Sequence, residues 1–297
     1  MKIDLEIYRQ QFALESAKFV RIDHTDTIIA EVYKVSTSEE KAFILKICPR
    51  KEDYFREAYF LRRLDGCMPV PRIIATYEPS DDHFGAILME CLEGELLTNN
   101  DWTNDLAFKV GTSLAQLHSI RAESYGDLPN NGALFQNPNV YFGDKFEEEL
   151  LECKGHLPDN LIENCASYLK RCQEHLANVD GPCFVHRDFR PGNMIVRQGR
   201  LQGIIDWSSA RSGFAEQDFC SLEHFQWIPN TDYKTALLDG YSSIRPIPKY
   251  EGIMPLLQLG RSLAVIGYTV KSGTWNSSNA CLYTFNRTFL EKFNFSS

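Results

Sequence analysis

The sequence lacks the features that mark secreted and membrane proteins. Its nine cysteines are an odd number and form no Cys-x-x-Cys pair. No apolar run approaches the roughly 18 residues that a membrane-spanning helix requires. The first residues, Met1-Lys-Ile-Asp-Leu-Glu, are too acidic for a secretory signal and lack its apolar segment. We therefore expect free thiols, a cytoplasmic location and no association with a membrane.

An excess of positive charge is also missing. The formal net charge is −9, whereas a protein that binds nucleic acid presents a basic surface. Hydrophobic residues make up 43% of the chain and aromatic residues 12%, which is enough for a sizeable core. A length of 297 residues suits two lobes that share a cleft. We expect a folded, two-lobed protein whose ligand is not a nucleic acid.

The stretch 184–207 contains the most informative pattern. Two short β-type runs, Met194–Val196 and Leu201–Ile205, flank a glycine-containing turn and predict a hairpin. A hairpin returns the chain to its start, so Asn193 and Asp206 are expected side by side. Two oxygen ligands at that separation can hold Mg²⁺ and leave positions for phosphates.

Asp188 lies five residues before Asn193, in a predicted loop after an apolar pair. From there it can orient a substrate hydroxyl toward a metal-bound phosphoryl group. A loop aspartate by itself is more often a turn former or a helix cap. The hypothesis depends on the ordered set His186-Arg187-Asp188, four residues, Asn193, a hairpin, and Asp206.

The ordered set resembles the catalytic and metal-binding loops of the eukaryotic-like kinase superfamily. Gly192 beside Asn193 and Trp207 after Asp206 make it most similar to the aminoglycoside phosphotransferase and choline kinase branch. The resemblance implies an α+β, bilobal protein-kinase-like fold. A small lobe with a five-stranded antiparallel sheet and the hinge would span residues 1–94, and a larger, mostly helical lobe residues 95–297.

The resemblance also implies an activity, the transfer of the γ-phosphate of ATP or GTP to a hydroxyl of a small molecule. Asp188 would be the base or hydroxyl-orienting group, and Arg190 a cation near the γ-phosphate. Asn193 and Asp206 would be the ligands of Mg²⁺. Asp218 would be a structural aspartate. No long activation segment or Ala-Pro-Glu follows Asp206, which argues against a protein substrate.

Lys46 and Glu57 match a further part of the kinase arrangement. Lys46 interrupts an apolar strand at 42–47, and Glu57 lies eleven residues later in a clear helical pattern. In kinases such a lysine contacts the α- and β-phosphates and the glutamate holds it in place. Without the downstream motif, the pair would read as solvated surface charge.

The adenine and phosphate-loop assignments depend on the resemblance alone. Met89 would lie behind the adenine, and the Glu90 carbonyl and the Leu92 amide would hydrogen-bond its edge. The predicted loop 21–32 contains no glycine, although its amides would bind phosphates. Two readings of this loop stay open, an exposed turn and a phosphate site with three candidate side chains, His24, Thr25 and Thr27.

The remaining pattern predicts mostly helix. Strands are expected within 18–35 and at 42–47, 70–75 and 85–90. Helices are expected at 2–18, 56–64, 106–120, 145–154 and 161–176 and over much of 221–297, with a long loop at 122–143. His118, at the end of a predicted helix, is expected to be packed and structural.

Three functions stay open. They are an aminoglycoside-type antibiotic kinase, a kinase of a housekeeping metabolite such as choline, ethanolamine, homoserine or a sugar, and a nucleotide-binding pseudokinase scaffold. The Glu147–Glu152 cluster and Glu223 favour a cationic acceptor if they face the cleft. They are otherwise a solvated helix face.

Overall fold

The computed structural model describes residues 3–22, 30–39, 41–129, 134–225 and 228–296. The candidate phosphate-loop residues His24, Thr25 and Thr27 lie outside the described residues. The first part of the chain forms a five-stranded antiparallel sheet in the order β1-β2-β3-β5-β4. Its strands are β1 Lys18–Arg21, β2 Glu31–Ser36, β3 Ala42–Cys48, β4 Ile73–Tyr77 and β5 Gly85–Glu90.

Each face of this sheet is covered by a helix. Helix α1, Leu5–Gln11, contributes Tyr8 to a core with Val35 and Leu45. On the other face lies α2, Lys51–Leu64, whose Phe60 and Leu64 join the larger core of the molecule. The apolar residues of each element therefore fix which side of β3 faces which helix.

The second part of the chain is mostly helical. Its described helices are α3 Asn104–His118, α4 Pro138–Glu152, α5 Asp159–Leu176, α6 Glu216–His224, α7 Thr231–Ser242, α8 Met254–Lys271 and α9 Ala280–Lys292. Its short strands are β6 Glu95–Leu96, β7 Cys183–Val185, β8 Met194–Arg197, β9 Arg200–Ile204 and β10 Arg211–Gly213. β7 pairs with β10, and β6, β8 and β9 form a separate small sheet.

Helices α3 and α7 approach each other with almost no side chain between them. A Cβ atom on Gly111 would collide with the carbonyl oxygen of Leu237, and one on Gly240 with that of Phe108. Glycine is therefore needed at both positions for close backbone packing rather than for an unusual φ. This contact fixes the position of α7 against α3.

The structure confirms the α+β, kinase-like architecture and the five-stranded antiparallel sheet. Several boundaries were predicted wrongly: α2 begins at Lys51 rather than at 56, and β4 spans Ile73–Tyr77 rather than 70–75. α1 ends at Gln11, because the chain turns at Ala13 with φ of 53°. α4 begins at Pro138 inside the predicted loop, where Asn137 caps the helix and accepts a hydrogen bond from the Asn139 amide. No helix in the described ranges is long and apolar enough to cross a membrane.

Candidate active site

The β8–β9 hairpin brings Asn193 and Asp206 to the same end of a two-stranded ladder. Met194 pairs with Ile204, and the Ile205 amide donates a 2.9 Å hydrogen bond to the Asn193 carbonyl. Asp206 follows in the left-handed conformation, with φ of 62°. Such a conformation costs a non-glycine residue energy and redirects its side chain. The Asp206 side chain is 43% exposed, so it faces the open cleft.

Lys46 of β3 connects the sheet to this hairpin. Its Nζ lies 2.5 Å from Glu57 Oε2 on α2 and 2.8 Å from Asp206 Oδ1. Burial alone would lower the pKa of Lys46, but the Asp206 and Glu57 carboxylates outweigh it and raise the pKa. Burial likewise favours neutral Asp206, and Lys46 with the Ser208 hydroxyl holds its pKa well below the usual range. Both groups are therefore charged.

Helix α2 has two further contacts with the loop after Asp206. Burial raises the pKa of Glu57, and the Trp207 amide acts in the opposite direction on its carboxylate. Arg56 Nη1 donates to the Ser208 carbonyl over 2.6 Å. The position of Lys46 thus depends on a helix that is itself attached to the Asp206 loop.

The loop that carries Asp188 is held by a buried carboxylate, Asp218 of α6. Asp218 accepts from the His186 amide at 2.8 Å and from the Arg187 amide at 2.6 Å. It also contacts Nε2 of the fully buried His118, 3.1 Å away. These bonds offset the strain of Arg187, whose φ is 64°.

The histidines near this loop have structural partners. His186 Nε2 lies 3.0 Å from the Ile205 carbonyl, and its Nδ1 accepts from the Asp188 amide. These partners require a neutral ring with the proton on Nε2. His118 Nδ1 contacts the Tyr241 hydroxyl. His186 therefore joins the Asp188 loop to the residue that precedes Asp206.

The Asp188 carboxylate accepts hydrogen bonds from three side chains. Arg190 Nε donates to Oδ2 over 3.1 Å, Asn193 Nδ2 donates to Oδ2 over 2.8 Å, and Arg261 Nη2 donates to Oδ1 over 3.1 Å. Burial would raise the pKa of Asp188, but Arg261 and Arg190 keep it below the usual value. Asp188 is therefore an ionised carboxylate near neutral pH.

Asn193 uses its amide nitrogen for Asp188, which leaves its side-chain oxygen for another partner. This oxygen and the Asp206 carboxylate are of the type that suits Mg²⁺. Among the described residues, no group of three or more His, Cys, Asp or Glu side chains could hold a metal. A cation at this place would therefore be bound by these two residues together with oxygens from phosphate or water.

The segment after β5 lies against the same hairpin. Met89 is buried in β5, and Glu90 at its end is exposed. The side chain of Leu92 occupies the space that a Cβ on Gly203 would fill. Gly94, with φ of 128°, packs directly on the Val196 carbonyl. The predicted adenine-binding segment is thus in contact with the β8–β9 hairpin, which lies between Asn193 and Asp206.

A cavity adjoins the Asp188 loop between α4, α6 and α8. It encloses about 40 Å³ and also opens to solvent. Its charged lining residues are Lys145, Glu149, Arg187 and Arg261. Arg261 also donates to the Arg187 carbonyl and to Asp188. Arg261 therefore lines the cavity and also binds the Asp188 carboxylate.

Three of the acidic residues expected near an acceptor form ion pairs with lysines. Glu148 pairs with Lys145, Glu152 with Lys271, and Glu223 with Lys234, at N–O distances of 2.6–2.9 Å. Glu149 is the member of this set that lines the cavity in the described part of the chain.

Sequence reasoning missed Arg261 and the side chain of Arg187, and it did not single out Glu149 within the Glu147–Glu152 cluster. Arg261 is the one basic residue in the run Leu256–Ile266 of a largely apolar helix. A lone cation in such a run is a signal for a buried ionic partner. Glu149 could not be distinguished from its neighbours, because the helix face that meets the cavity is set by tertiary packing.

Three comparisons with known proteins agree with this geometry. Residues 24–254 match the model of the phosphotransferase enzyme family. A homoserine kinase of Gluconobacter oxydans (strain 621H) is 24% identical over 173 residues, which cover 54% of this chain and 51% of that protein. The chain thus spans about half the length of this curated relative in the match.

Solved structures share the fold over nearly the whole chain. An aminoglycoside phosphotransferase, APH(4)-Ia, solved with ADP and hygromycin B, superposes with a TM-score of 0.70 at 13% identity, covering 96% of this chain and 97% of its own. A candidate fructosamine-3-kinase of Thermobifida fusca YX-ER1 gives 0.70 at 20% identity, covering 93% and 94%. The sequence match and the site geometry lead to one conclusion: the chain belongs to the phosphotransferase enzyme family.

Proposed function

We propose that this protein transfers the γ-phosphate of ATP to a hydroxyl group of a small molecule. The observation that carries this proposal is the convergence of Asp188, Asn193, Asp206 and Lys46 on one cleft. GTP is the alternative donor. Relatives solved with ADP support an adenine nucleotide.

The nucleotide would bind between the two lobes, which we place at residues 1–94 and 95–297. Lys46 would contact the α- and β-phosphates, with Glu57 holding the ammonium in position. Met89 would lie behind the adenine, and the Glu90 carbonyl and Leu92 amide would bind its edge. The contact of Leu92 with Gly203 supports this, because it puts the adenine end near the hairpin.

Asn193 and Asp206 would hold Mg²⁺, which supplies charge neutralisation of the phosphates in this type of reaction. Asp188 would accept a hydrogen bond from the acceptor hydroxyl and orient its oxygen in line with the γ-phosphorus. The low pKa of Asp188 suits this role, because a loose transition state needs positioning more than a strong base. The hydroxyl proton would reach Asp188 as the new oxygen–phosphorus bond forms and the bond from the γ-phosphorus to the departing ADP breaks. Arg190 would lie near the γ-phosphate.

The relatives support two acceptor classes, since they include aminoglycoside phosphotransferases and a homoserine kinase. The sequence favoured an aminoglycoside-type, cationic acceptor on account of its glutamates. Three of these now have lysine partners, which removes most of that support. We therefore place a metabolite kinase ahead of an antibiotic kinase. The intact set of Lys46, Asp188, Asn193 and Asp206 argues against a pseudokinase scaffold.

A coupled ADP-release screen tests the proposal with ATP and Mg²⁺ over aminoglycosides, amino alcohols, hydroxy acids and sugars. Asp188→Asn should lower kcat about 10²–10⁴-fold while ADP affinity stays unchanged, because it removes the hydroxyl-orienting carboxylate and not the nucleotide site. Asp81→Asn is the matched control, since the Asp81 side chain is fully exposed. Acceptor-dependent turnover that survives Asp188→Asn at the wild-type rate would refute the mechanism.

A further inference from the structure

Three cations, Lys145, Arg187 and Arg261, line the cavity beside Asp188, and Glu149 is its one acidic lining residue among those the structure describes. Lys145 pairs with Glu148 and Arg261 with Asp188, which leaves Arg187 as the lining cation without such a pair among the described residues. Arg211 is near enough to lower the pKa of Arg187. Basic groups concentrated at a cavity wall attract anions and repel cations.

Arg187 has no partner for its charge among the residues that the structure describes. Its amide and carbonyl are bound to Asp218, Ser221 and Arg261. Its guanidinium makes no hydrogen bond or ion pair to any described residue, although it lines a half-buried cavity. Burying an arginine without a partner is costly, and a planar guanidinium is suited to bind a carboxylate or phosphate through two parallel hydrogen bonds.

The strained backbone of Arg187 is consistent with a binding role. A φ of 64° at a non-glycine residue is sparsely populated and directs the side chain away from the course of the strand. Three of the contacts that hold this conformation come from α6 and α8, which also form the cavity. The fold thus holds the Arg187 guanidinium, which has no ion-pair partner among the described residues, next to Asp188.

Glu149 does not neutralise this charge. Its carboxylate makes no hydrogen bond or ion pair within the described ranges. Burial raises the pKa of Glu149 to about 7, even though Arg187, Arg211 and Lys145 act in the opposite direction. A carboxyl group that is partly protonated at neutral pH leaves the cavity with an excess of positive charge.

The cavity has room for a small polar group. Its space of about 40 Å³ is more than the roughly 10–15 Å³ that one water requires, and it opens to solvent. A carboxylate or phosphate group suits that space. Only one end of an acceptor would enter, with the remainder directed toward Asp188.

We propose that this cavity binds the anionic group, a carboxylate or phosphate, of a small acceptor whose hydroxyl is presented to Asp188. Arg187 is the main contact. The inference rests on the proposed phosphotransferase function and names its substrate class. It replaces the cationic acceptor that the sequence favoured.

Calorimetry on the full-length protein, saturated with ADP and Mg²⁺ to block the nucleotide site, tests the binding step. The probes are matched pairs: glycerate with glyceramide, homoserine with homoserinamide, and glycerol 3-phosphate with glycerol. Kanamycin and choline serve as cationic probes. We expect at least one acid to bind tenfold or more tightly than its neutral partner, with the carboxylate and phosphate pairs showing which anion is preferred. Equal affinities throughout, or binding of kanamycin or choline alone, would overturn the inference.

Two variants with opposite expected effects test the residues. Arg187→Gln should weaken binding of the preferred acid at least tenfold, and Arg187→Lys by less. Glu149→Gln should leave that affinity unchanged or strengthen it. A merely structural role for Arg187 would alter ADP affinity and melting temperature as well, so both are measured. The reverse pattern, loss with Glu149→Gln and none with Arg187→Gln, would indicate a cationic ligand and contradict the proposal.

The anionic acceptor and the phosphotransferase activity can be disproved independently. Phosphate transfer from ATP to kanamycin or choline, and to none of the acids, would overturn the anionic acceptor and retain the phosphotransferase. An acid bound through Arg187 but never phosphorylated would retain the anion site and overturn the phosphotransferase.

Discussion

The ionisation of the carboxyl groups at this site depends more on their neighbours than on the type of side chain. Asp188 and Glu149 are both carboxyl groups near arginines, yet their pKa values move in opposite directions. Asp188 accepts hydrogen bonds from Arg190, Arg261 and Asn193, so its charged form is favoured. Glu149 accepts none from the described residues, and burial dominates its pKa. The difference separates a permanently charged group from one that titrates near neutrality.

This difference predicts a pH dependence of KM for an acid acceptor. Below a pH of about 7 Glu149 is protonated, and above it the new negative charge competes with the acceptor for Arg187. The other charges facing Glu149 are Arg211, Lys145, Glu148 and Arg261. KM should rise with pH, roughly tenfold between pH 6 and 8.

Steady-state kinetics across this range measures the effect, and Glu149→Gln should flatten the profile. kcat should change little, because the lowered pKa keeps Asp188 ionised throughout. A KM that falls as pH rises would mean that ionised Glu149 attracts the acceptor.

At the scale of elements, the features that depend on local sequence patterns could be predicted. The β8–β9 hairpin follows from alternating apolar residues around a glycine turn, and it alone brings Asn193 next to Asp206. The Lys46–Glu57 pair follows from a strand and a helix at kinase-like spacing. The structure confirms both arrangements.

The missed residues depend on contacts between distant elements. Arg261 reaches Asp188 across 73 residues of chain, and no local pattern specifies the rotation of α8 that allows this. Glu149 is distinguished from Glu148 only by the face of α4 that meets α8. The start of α4 was missed for a different reason, since the Asn137-Pro138 cap signal was present and was read as loop.

The α3–α7 contact predicts a large effect of a small substitution. Gly111→Ala should destabilise the protein by about 2–3 kcal/mol, because the new methyl group meets the Leu237 carbonyl rather than a movable side chain. Gly143→Ala is the matched control, since Gly143 lies within a helix and nothing lies within 4 Å of the added methyl group.

Gly143→Ala should stabilise by about 0.5–1 kcal/mol through helix propensity alone. Urea or thermal unfolding distinguishes the two variants. Similar stabilities for both would show that α3 and α7 can separate without cost.

At the scale of the whole molecule, the Lys46–Asp206 ion pair joins the sheet to the helical part. Ligand that binds the folded state alone stabilises it by about 2.7 kcal/mol at 100 times its Kd. MgATP should therefore raise the melting temperature of the wild type more than ATP with a chelator does. Asp206→Asn should lose this magnesium-dependent increment, because it removes a ligand charge.

Asp188→Asn is the control for this measurement and should keep the increment, since Asp188 contacts the acceptor in the proposed arrangement. Thermal scans with ATP, with and without Mg²⁺, compare the three proteins. An increment that persists in Asp206→Asn would assign the metal to other residues.

The Lys46–Asp206 ion pair also bears on the order in which ligands bind. Without nucleotide, the Lys46 ammonium neutralises Asp206 and repels any divalent ion that approaches the carboxylate. In the proposed arrangement, the phosphates of a nucleotide would compete for Lys46 and free that carboxylate. Asp206 would then gain affinity for a cation only as the nucleotide arrives, and by thermodynamic reciprocity the cation would strengthen nucleotide binding by the same factor. This single lysine would thus couple the two binding events and favour their entry as one complex over a metal-first route.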